Sequence, residues 1–313
     1  MNLSPNAVLR FAPTPTGHFH LGNLRTAWLT LRLSREFKRP FVVRFEDIDT
    51  HRVRSEFLES QRQDLKAVGM VDFKEEIQSR FFEWHRKAFH FFLNRYQIYP
   101  CFCSRKEIMS DLQLAPRADQ VQPGILYKGT CRGLDSANIV ERWNQKKKDK
   151  VVWRFRGDSL APDLFEDFIV GTTSGIHLSQ ELSLSNFISF EPSYNWACAL
   201  DDARLGDVVA VRAWDLAGVH TIQSKMFKMF QKEFLKVEGS FEVLHASLVV
   251  ERGGGKLSKR QEISKTPFSQ RDLKTQKAVF EVFARSYQGL VFDPSARLWG
   301  EPLREIYLGT SGE

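Results

Sequence analysis

Residues 8–27 read VLRFAPTPTGHFHLGNLRTA, and the order of residue types along them decides the fold. Val8 to Phe11 is a short apolar strand signal. Ala12-Pro13-Thr14-Pro15-Thr16-Gly17 follows and excludes helix, because each proline fixes its own φ and restricts the residue before it. Past Gly22, the residues Leu24, Ala27, Trp28, Leu31 and Leu33 recur at helical spacing until Lys38-Arg39-Pro40. Phe41-Val42-Val43-Arg44-Phe45 then reads as a second buried strand. Strand, loop, helix and strand in this order make a βαβ unit, which predicts an α/β fold with a parallel sheet and crossover helices.

Outward from this unit, residues 55–96 are helix-rich and carry Phe81, Phe82, Trp84, Phe89, Phe91 and Phe92, a density that points to core packing. Between residues 100 and 184 the pattern is broken by Cys101, Cys103 and Cys131, by Gly124, Gly129 and Gly133, and by Lys146-Lys147-Lys148-Asp149-Lys150. This stretch reads as an inserted subdomain. Strand-like runs at 187–190, 196–200 and 208–211, with a helical stretch at 222–234, suggest that the parallel sheet continues after it. The run 244–250 leads into Gly253-Gly254-Gly255-Lys256-Leu257-Ser258-Lys259-Arg260. The expected division is 1–98 for the first half of the sheet domain, 99–185 for the insertion, 186–243 for the second half, and 244–313 for the basic loop and a short helical part.

The 313 residues carry 45 Lys+Arg against 38 Asp+Glu, a formal net charge of +7. With 42% hydrophobic and 27% charged residues, the composition is that of an ordinary globular protein and excludes disorder, collagen and coiled coil as its main organisation. A positive excess favours polyanionic partners without choosing among them. No apolar run reaches the ~18 residues of a membrane span, and residues 1–8 lack the build of a signal peptide. A cytoplasmic monomer is the expectation, with four cysteines too sparse for a disulfide scaffold.

Two loops have the makings of phosphate sites. In an open α/β sheet ligands sit at the carboxyl ends of strands, and a helix N-terminus with free N–H groups attracts phosphate. His18 and His20 precede Gly22 at such a place, although neither the dinucleotide nor the P-loop glycine spacing is present. The later loop combines three glycines with Lys256, Lys259 and Arg260, and a basic loop can stabilise charge that develops as pyrophosphate leaves. Cys198 lies in an apolar run and reads as a core residue.

Taken together, these segments resemble a known family. Arg10 through Ala27 is similar to the opening of the catalytic domain of glutamyl-tRNA synthetases, with His20-Leu21-Gly22-Asn23 at the class I "HIGH" signature, here ending on Asn rather than His. Arg44-Phe45-Glu46-Asp47-Ile48-Asp49 resembles the "RxEDTD" segment, and Asp201-Asp202 through Val211-Arg212 resembles the later strand pair. Lys256-Leu257-Ser258-Lys259-Arg260 resembles the "KMSKS" loop. Two departures accompany these matches: Ala213-Trp214 replaces the usual residues after Arg212, and 186–194 lacks the usual Asp and Arg. Only 53 residues lie beyond Arg260, which is similar to the short branch of the family, the glutamyl-Q tRNA(Asp) synthetases, rather than to members with an anticodon-binding domain.

The resemblance implies a class I synthetase Rossmann-type parallel sheet with a zinc-bearing insertion and a short C-terminal helical part. It implies ATP-dependent activation of L-glutamate to glutamyl-adenylate, with magnesium on the phosphates, and transfer of glutamate to the queuosine carried by the anticodon stem-loop of tRNA(Asp). His20, Lys256 and Lys259 would be catalytic. ATP would be bound by His18, His20, Gly22, Asn23, Lys256, Ser258 and Lys259, and glutamate by Arg10, Phe11, Ala12, Pro13, Thr14, Glu46, Tyr194 and Arg212. The physical chemistry agrees, since two carboxylates and an ammonium call for guanidinium forks and a carboxylate. Cys101, Cys103, Tyr127 and Cys131 would close one structural zinc site. Residues 141–156 place seven cations against two anions, with Trp143 and Trp153 between them, as a face for an RNA stem. The alternatives are a minimal glutamyl-tRNA synthetase charging tRNA(Glu), or a non-catalytic paralogue that binds RNA or senses an amino acid.

Overall fold

A computed structural model of the chain describes residues 3–104, 106–108, 127, 129–145, 150–157, 167–174, 189–250, 266–293 and 298–307. These fall into two compact units: residues 1–81, 201–224 and 237–313 form the first, residues 82–200 and 225–236 the second.

The first unit opens with β1 (Val8–Phe11), α1 (Leu21–Phe37) and β2 (Phe41–Phe45), the βαβ unit expected. α1 begins at His20, whose side chain and backbone exchange hydrogen bonds with Asn23 as a capping box, and ends at Lys38 in the left-handed region, φ 51°. Helix α2 (Ser55–Ala67) leads through Gly69, at φ +87°, into β3 (Lys74–Ile77). A side chain at Gly69 would be strained in that conformation. The charged Lys-Glu-Glu-Ile of β3 is an edge strand that hydrophobic patterning misses, because it pairs with the sheet on one side only.

The second unit contains α3 (Phe82–Leu93), β4 (Ile98–Cys101), α4 (Ser136–Gln145), β5 (Val151–Phe155), β6 (Phe168–Ser174) and β7 (Ser189–Pro192). The four strands pair antiparallel in the order β4-β5-β6-β7. Their aromatic core is continuous: Phe89 stacks on Phe190 at 4.4 Å and meets the edge of Trp153 at 5.2 Å, while Phe92 meets Phe155 at 5.5 Å and Trp196 at 5.9 Å. Phe89 and Phe92 are fully buried, as core packing requires. Trp84 is the contrary case, exposed despite lying on the same helix.

Helix α5 (Tyr194–Arg204) follows, then β8 (Val208–Ala213), α6 (His220–Met229) with a π-helical turn over Phe230–Leu235, β9 (Phe241–Ala246) and β10 (Leu248–Val250). Beyond residue 265 come α7 (Leu273–Ser286), β11 (Val291–Asp293), β12 (Leu298–Gly300) and β13 (Glu305–Tyr307). The main sheet of the first unit has the order β11-β12-β9-β8-β1-β2-β3 and is parallel except at the β11/β12 pair. The chain winds from β1 through β2 to β3 in one direction and from β8 to β9 in the other. The direction therefore reverses between β1 and β8, the place where open α/β sheets bind ligands.

Four expectations need correction. Residues 196–200 are helix, not strand: Trp196, Cys198 and Leu200 are buried on α5 because this helix is apolar on several sides, which a short window cannot distinguish from a buried strand. The run near 187–190 joins the antiparallel sheet of the second unit as β7, not the parallel sheet. A division at residue 99 cuts too late, since α3 supplies the core of the second unit, and residues 225–236 belong to that unit as well. The C-terminal part is not merely helical: β12 pairs with β9, and buried Glu301 accepts from Arg25 Nε on α1 at 3.1 Å.

Candidate active site

Strand alternation places the charged residues of the first unit together. Arg10 is in register with Val42 on β2 and Ala210 on β8, so Arg44 and Arg212, two residues further along those strands, point to the same sheet face as Arg10. Arg212 is in turn in register with His245 on β9. All four residues are buried near the carboxyl ends of adjacent parallel strands. The opposite face carries Leu9, Phe11, Val43, Phe45, Val209, Val211 and Leu244, which form one apolar cluster with Leu21, Leu24 and Leu31 of α1. One side of the sheet is core and the other is a charged floor.

Burying charge requires partners, and they come from α5. Asp202 accepts from Arg10 Nε at 3.0 Å and pairs with Arg10 Nη2 as well, making a two-pronged contact, and it accepts from Arg44 Nη1 at 2.6 Å. Arg44 Nη2 donates to Glu46 at 3.2 Å. Burial by itself raises the Asp202 pKa, but the Arg10 and Arg44 guanidiniums outweigh it and hold the carboxyl below its usual range. Asp201 accepts from Gln78 Nε2 at 2.8 Å. Arg212 donates from Nη1 to Gln223 on α6 at 2.6 Å. His245 is held neutral, its pKa pushed down to about 4 by burial and then by the Arg212 charge, and its Nδ1 meets the carbonyl of Trp299 at 3.2 Å.

The first loop runs along the same strand ends. Pro13 O accepts from Glu46 N at 2.8 Å, and Phe11 contacts the ring of Phe19 at 6.0 Å. His20 caps α1 through Nδ1, which accepts from the N–H groups of Gly22 at 3.1 Å and Asn23 at 3.3 Å. In this structure those N–H groups are engaged by the cap. The same bonds leave the proton of the neutral ring on Nε2. A Cβ at Gly22 would lie 2.9 Å from His20 Cε1, so a side chain there would displace the ring that caps α1. His18 Nδ1 lies 2.7 Å from Ser60 Oγ.

Arg10, Phe11, Ala12, Pro13, Thr14, Glu46 and Arg212 thus belong to the first unit, together with His18, His20, Gly22 and Asn23. Tyr194 opens α5 in the second unit and is 42% exposed. Lys256, Ser258 and Lys259 lie outside the described residues. Residue types alone did not single out Arg44, Asp202 and Gln223 as partners of the floor. The signal available was an arginine inside an apolar strand and two adjacent acids inside an apolar helix, each needing a countercharge.

In the second unit, Cys101, Cys103, Tyr127 and Cys131 come together at the end of β4. Tyr127 Oη lies 3.4 Å from Cys101 Sγ and 3.7 Å from Cys103 Sγ, and the sulfurs of Cys103 and Cys131 are 3.6 Å apart. The three sulfurs lie within 4.8 Å of one another. A tetrahedral zinc with bonds of about 2.3 Å to sulfur and 2.0 Å to oxygen spaces its ligands by about 3.5–3.8 Å. Three of the separations, 3.4, 3.7 and 3.6 Å, match that spacing, so the donor set could hold such an ion. Hydrogen bonding from Cys101 pulls the Cys131 thiol down to about 6, while the same bond and burial push Cys101 up to about 12. Arg154 is buried over the Tyr127 ring at 3.9 Å. Beside the cluster, Asp167 accepts from Arg132 Nε at 2.8 Å and Gly157 N at 2.9 Å, tying residue 132 to the strands.

The expected RNA face is corrected in part. Trp143 and Trp153 are core residues, Trp153 donating to Thr173 Oγ1 at 2.8 Å, and neither ring is available for stacking on a base. Arg154 is likewise buried. Arg142 and Lys150 are exposed, Lys150 pairing with Glu191. Lys146, Lys147 and Lys148 lie outside the described residues.

Residues 6–286 match the family described as tRNA synthetases class I (E and Q), catalytic domain, and the chain belongs to that family. Among curated relatives it is 28% identical over 265 residues to a glutamate–tRNA ligase of Mycoplasma genitalium, an overlap of 81% of this chain and 52% of that protein. It is 33% identical over 216 residues to the glutamate–tRNA ligase of Aquifex aeolicus, covering 66% of this chain and 42% of the relative. A glutamyl-Q tRNA(Asp) synthetase of Deinococcus radiodurans is 33% identical over 218 residues, 66% of each chain. The chain thus spans about half the length of the glutamate–tRNA ligases it matches. In fold it is similar to a glutamate tRNA ligase of Elizabethkingia meningosepticum, with a TM-score of 0.56 at 21% identity over 82% of this chain and 52% of that one. No helix among the described residues is long and apolar enough to cross a membrane.

Proposed function

We propose that the protein activates L-glutamate with ATP and transfers it to the queuosine of tRNA(Asp). The observation that carries the first half is the charged floor, in which Arg10 and Arg212 flank the reversal point of a parallel sheet beside buried Glu46. A substrate with two carboxylates and one ammonium matches such an arrangement of guanidiniums and carboxylate. In this reading Arg212 and Arg10 hold the carboxylates, Glu46 takes the ammonium, and Phe11, Ala12, Pro13 and Thr14 complete the pocket within the first unit.

A glutamate carboxylate oxygen attacks the α-phosphorus of ATP, and pyrophosphate leaves with the bonding electron pair, giving glutamyl-adenylate. His18, Gly22, Asn23 and Ser258 help bind the nucleotide. His20, with its proton on Nε2, donates to phosphate oxygen, and Lys256 and Lys259 stabilise the charge on the departing pyrophosphate. Magnesium screens the phosphates when bound. A hydroxyl of the cyclopentenediol then attacks the activated carbonyl and releases AMP. Cys101, Cys103, Tyr127 and Cys131 would hold a structural zinc, which would supply cross-linking and no step of the reaction.

The queuosine half rests on the Cys–Tyr cluster and on the likeness to a relative of that name. Glutamate-dependent exchange of pyrophosphate into ATP without tRNA tests the first half, and loss of activity in Arg212→Ala with a retained fold is expected. Equal turnover of glutamine contradicts the pocket. Transfer to queuosine-containing tRNA(Asp) but not to the 3′ end of tRNA(Glu) tests the second half, and the reverse outcome assigns the chain to tRNA(Glu). Neutralising Lys146, Lys147 and Lys148 is expected to weaken transfer and flatten its salt dependence while exchange is unchanged.

A further inference from the structure

A core-facing helix stripe is ordinarily apolar at positions i, i+3, i+4 and i+7. On α2 those positions are Phe57, Ser60, Gln61 and Asp64, and the last three are buried. Placing an amide and a carboxylate there costs desolvation unless each finds partners. The partners are specific. The ring of His18 meets Phe57 edge-on at 5.2 Å, and its Nδ1 lies 2.7 Å from Ser60 Oγ. One Gln61 amide nitrogen donates to two carbonyls of the proline-rich loop, Gly17 O at 2.8 Å and Thr14 O at 3.2 Å. One turn along, Asp64 Oδ1 accepts from both the N–H and the hydroxyl of Ser269, at 2.8 Å each.

In the loop of residues 12–19, backbone donors reach Pro13 O from Glu46, Pro15 O from Arg54 and Thr14 O from Thr16, and the two prolines donate nothing; Gln61 adds a second donor to Thr14 O and reaches Gly17 O beyond them. The same rigid face of α2 sets the loop that leads to His20 and the turn at 268–270 that follows the Lys256-to-Arg260 segment in the chain. We propose that Ser60, Gln61 and Asp64 are positioning residues for ATP: a buried polar stripe on α2 holds the His18–His20 loop and the Ser269 turn in one register. This rests on the reading of those two chain segments as the nucleotide-handling loops. In the bonds just described the stripe reaches neither Arg10, Glu46 nor Arg212, and it meets the glutamate side at the backbone carbonyl of Thr14, which Thr16 N also holds at 2.9 Å, so the larger effect is expected on ATP.

The test uses the full-length chain and two readouts, glutamate-dependent pyrophosphate exchange and calorimetric titration with ATP alone. Gln61→Leu conserves volume and removes the two loop bonds. It is expected to lower exchange kcat at least about tenfold, or to weaken ATP binding by a similar factor, while KM for glutamate stays within about twofold. Asp64→Ala is expected to act in the same direction, and Asp64→Asn, which keeps an acceptor for Ser269, to recover most of the loss. A merely structural role lowers the unfolding midpoint of the variants but leaves kcat per folded molecule and ATP affinity at wild-type values, and that result overturns the proposal. So does a failure of Asp64→Asn to outperform Asp64→Ala. Wild-type protein that binds ATP without exchange activity refutes glutamate activation and leaves the ATP titrations of the variants to decide this inference. Wild-type protein that binds no ATP overturns the inference as well.

Discussion

The two units solve the same problem in opposite ways. Each gathers polar groups at the ends of buried strands, the first at β1, β2 and β8 and the second at β4. In the first unit the groups neutralise one another: two guanidiniums and two carboxylates interlock through Asp202. In the second, three thiols and a phenol converge, with the separations of Tyr127 from Cys101 and Cys103 and of Cys103 from Cys131 close to those of a tetrahedral donor set. One constellation is charge-balanced among its own side chains, whereas the other offers a donor set that a metal ion could take up.

The sharpest way to break this comparison is to remove the hub of the first constellation. Asp202→Ala leaves Arg10 and Arg44 buried without their shared countercharge and is expected to cost about 3–5 kcal/mol in a denaturant titration. A loss under about 1 kcal/mol would show that the network is not self-sufficient. Next in size, Arg212→Ala is expected to reduce kcat/KM for glutamate activation by roughly a hundredfold or more, about 3 kcal/mol, with the far-UV signal of the fold retained.

Acid provides a third probe. His245 is held near pKa 4 when folded and returns to about 6.5 when unfolded. Between those values the unfolded chain binds a proton that the folded chain refuses, so this contribution is present in full above pH 6.5 and is lost as pH falls toward 4. A decline on the order of 2–3 kcal/mol is expected across that window, and His245→Gln should flatten it. Unfolding midpoints measured from pH 7.5 down to 4.5 decide the matter.

The mildest intervention addresses the second unit. Chelation of metal is expected to raise amide exchange in residues 98–103 and 129–134 by about tenfold or more, near 1.4 kcal/mol, while β1, β2 and β8 keep their protection. Metal analysis should find close to one zinc per chain before treatment. Protection unchanged throughout, or lost equally in both units, would erase the contrast between the two constellations.

Much of this organisation is legible in the residues themselves. The strand, proline-rich loop, helix and strand of 8–45 carry strong local signals, because proline restricts φ without reference to neighbours and helical spacing repeats over several turns. Tyr127 enters only through the family resemblance, whereas the cysteines are legible as a candidate cluster because few residue types offer soft ligands. Helix α5 was not, because an apolar run of five residues is compatible with strand or helix until its neighbours are known. β3 was missed because an edge strand need not be apolar. The polar stripe of α2 can be found by writing out its i, i+3, i+4 and i+7 positions, yet its meaning appears only when Gly17 O and Ser269 are seen opposite it.

Local signals along the chain fix the parallel α/β order, the place of the first loop and the residue types able to meet a dicarboxylate, a phosphate or a zinc ion. Only the tertiary structure decided which charges face one another, that Arg10 and Arg44 share Asp202 from a helix 158 or more residues away, and that Trp143 and Trp153 are core rather than surface. The physical reason is range. Backbone preference and hydrophobic period act over a few residues and can be read in order, whereas the partner of a buried charge is chosen by burial and strand register, which bring distant segments to within hydrogen-bond reach.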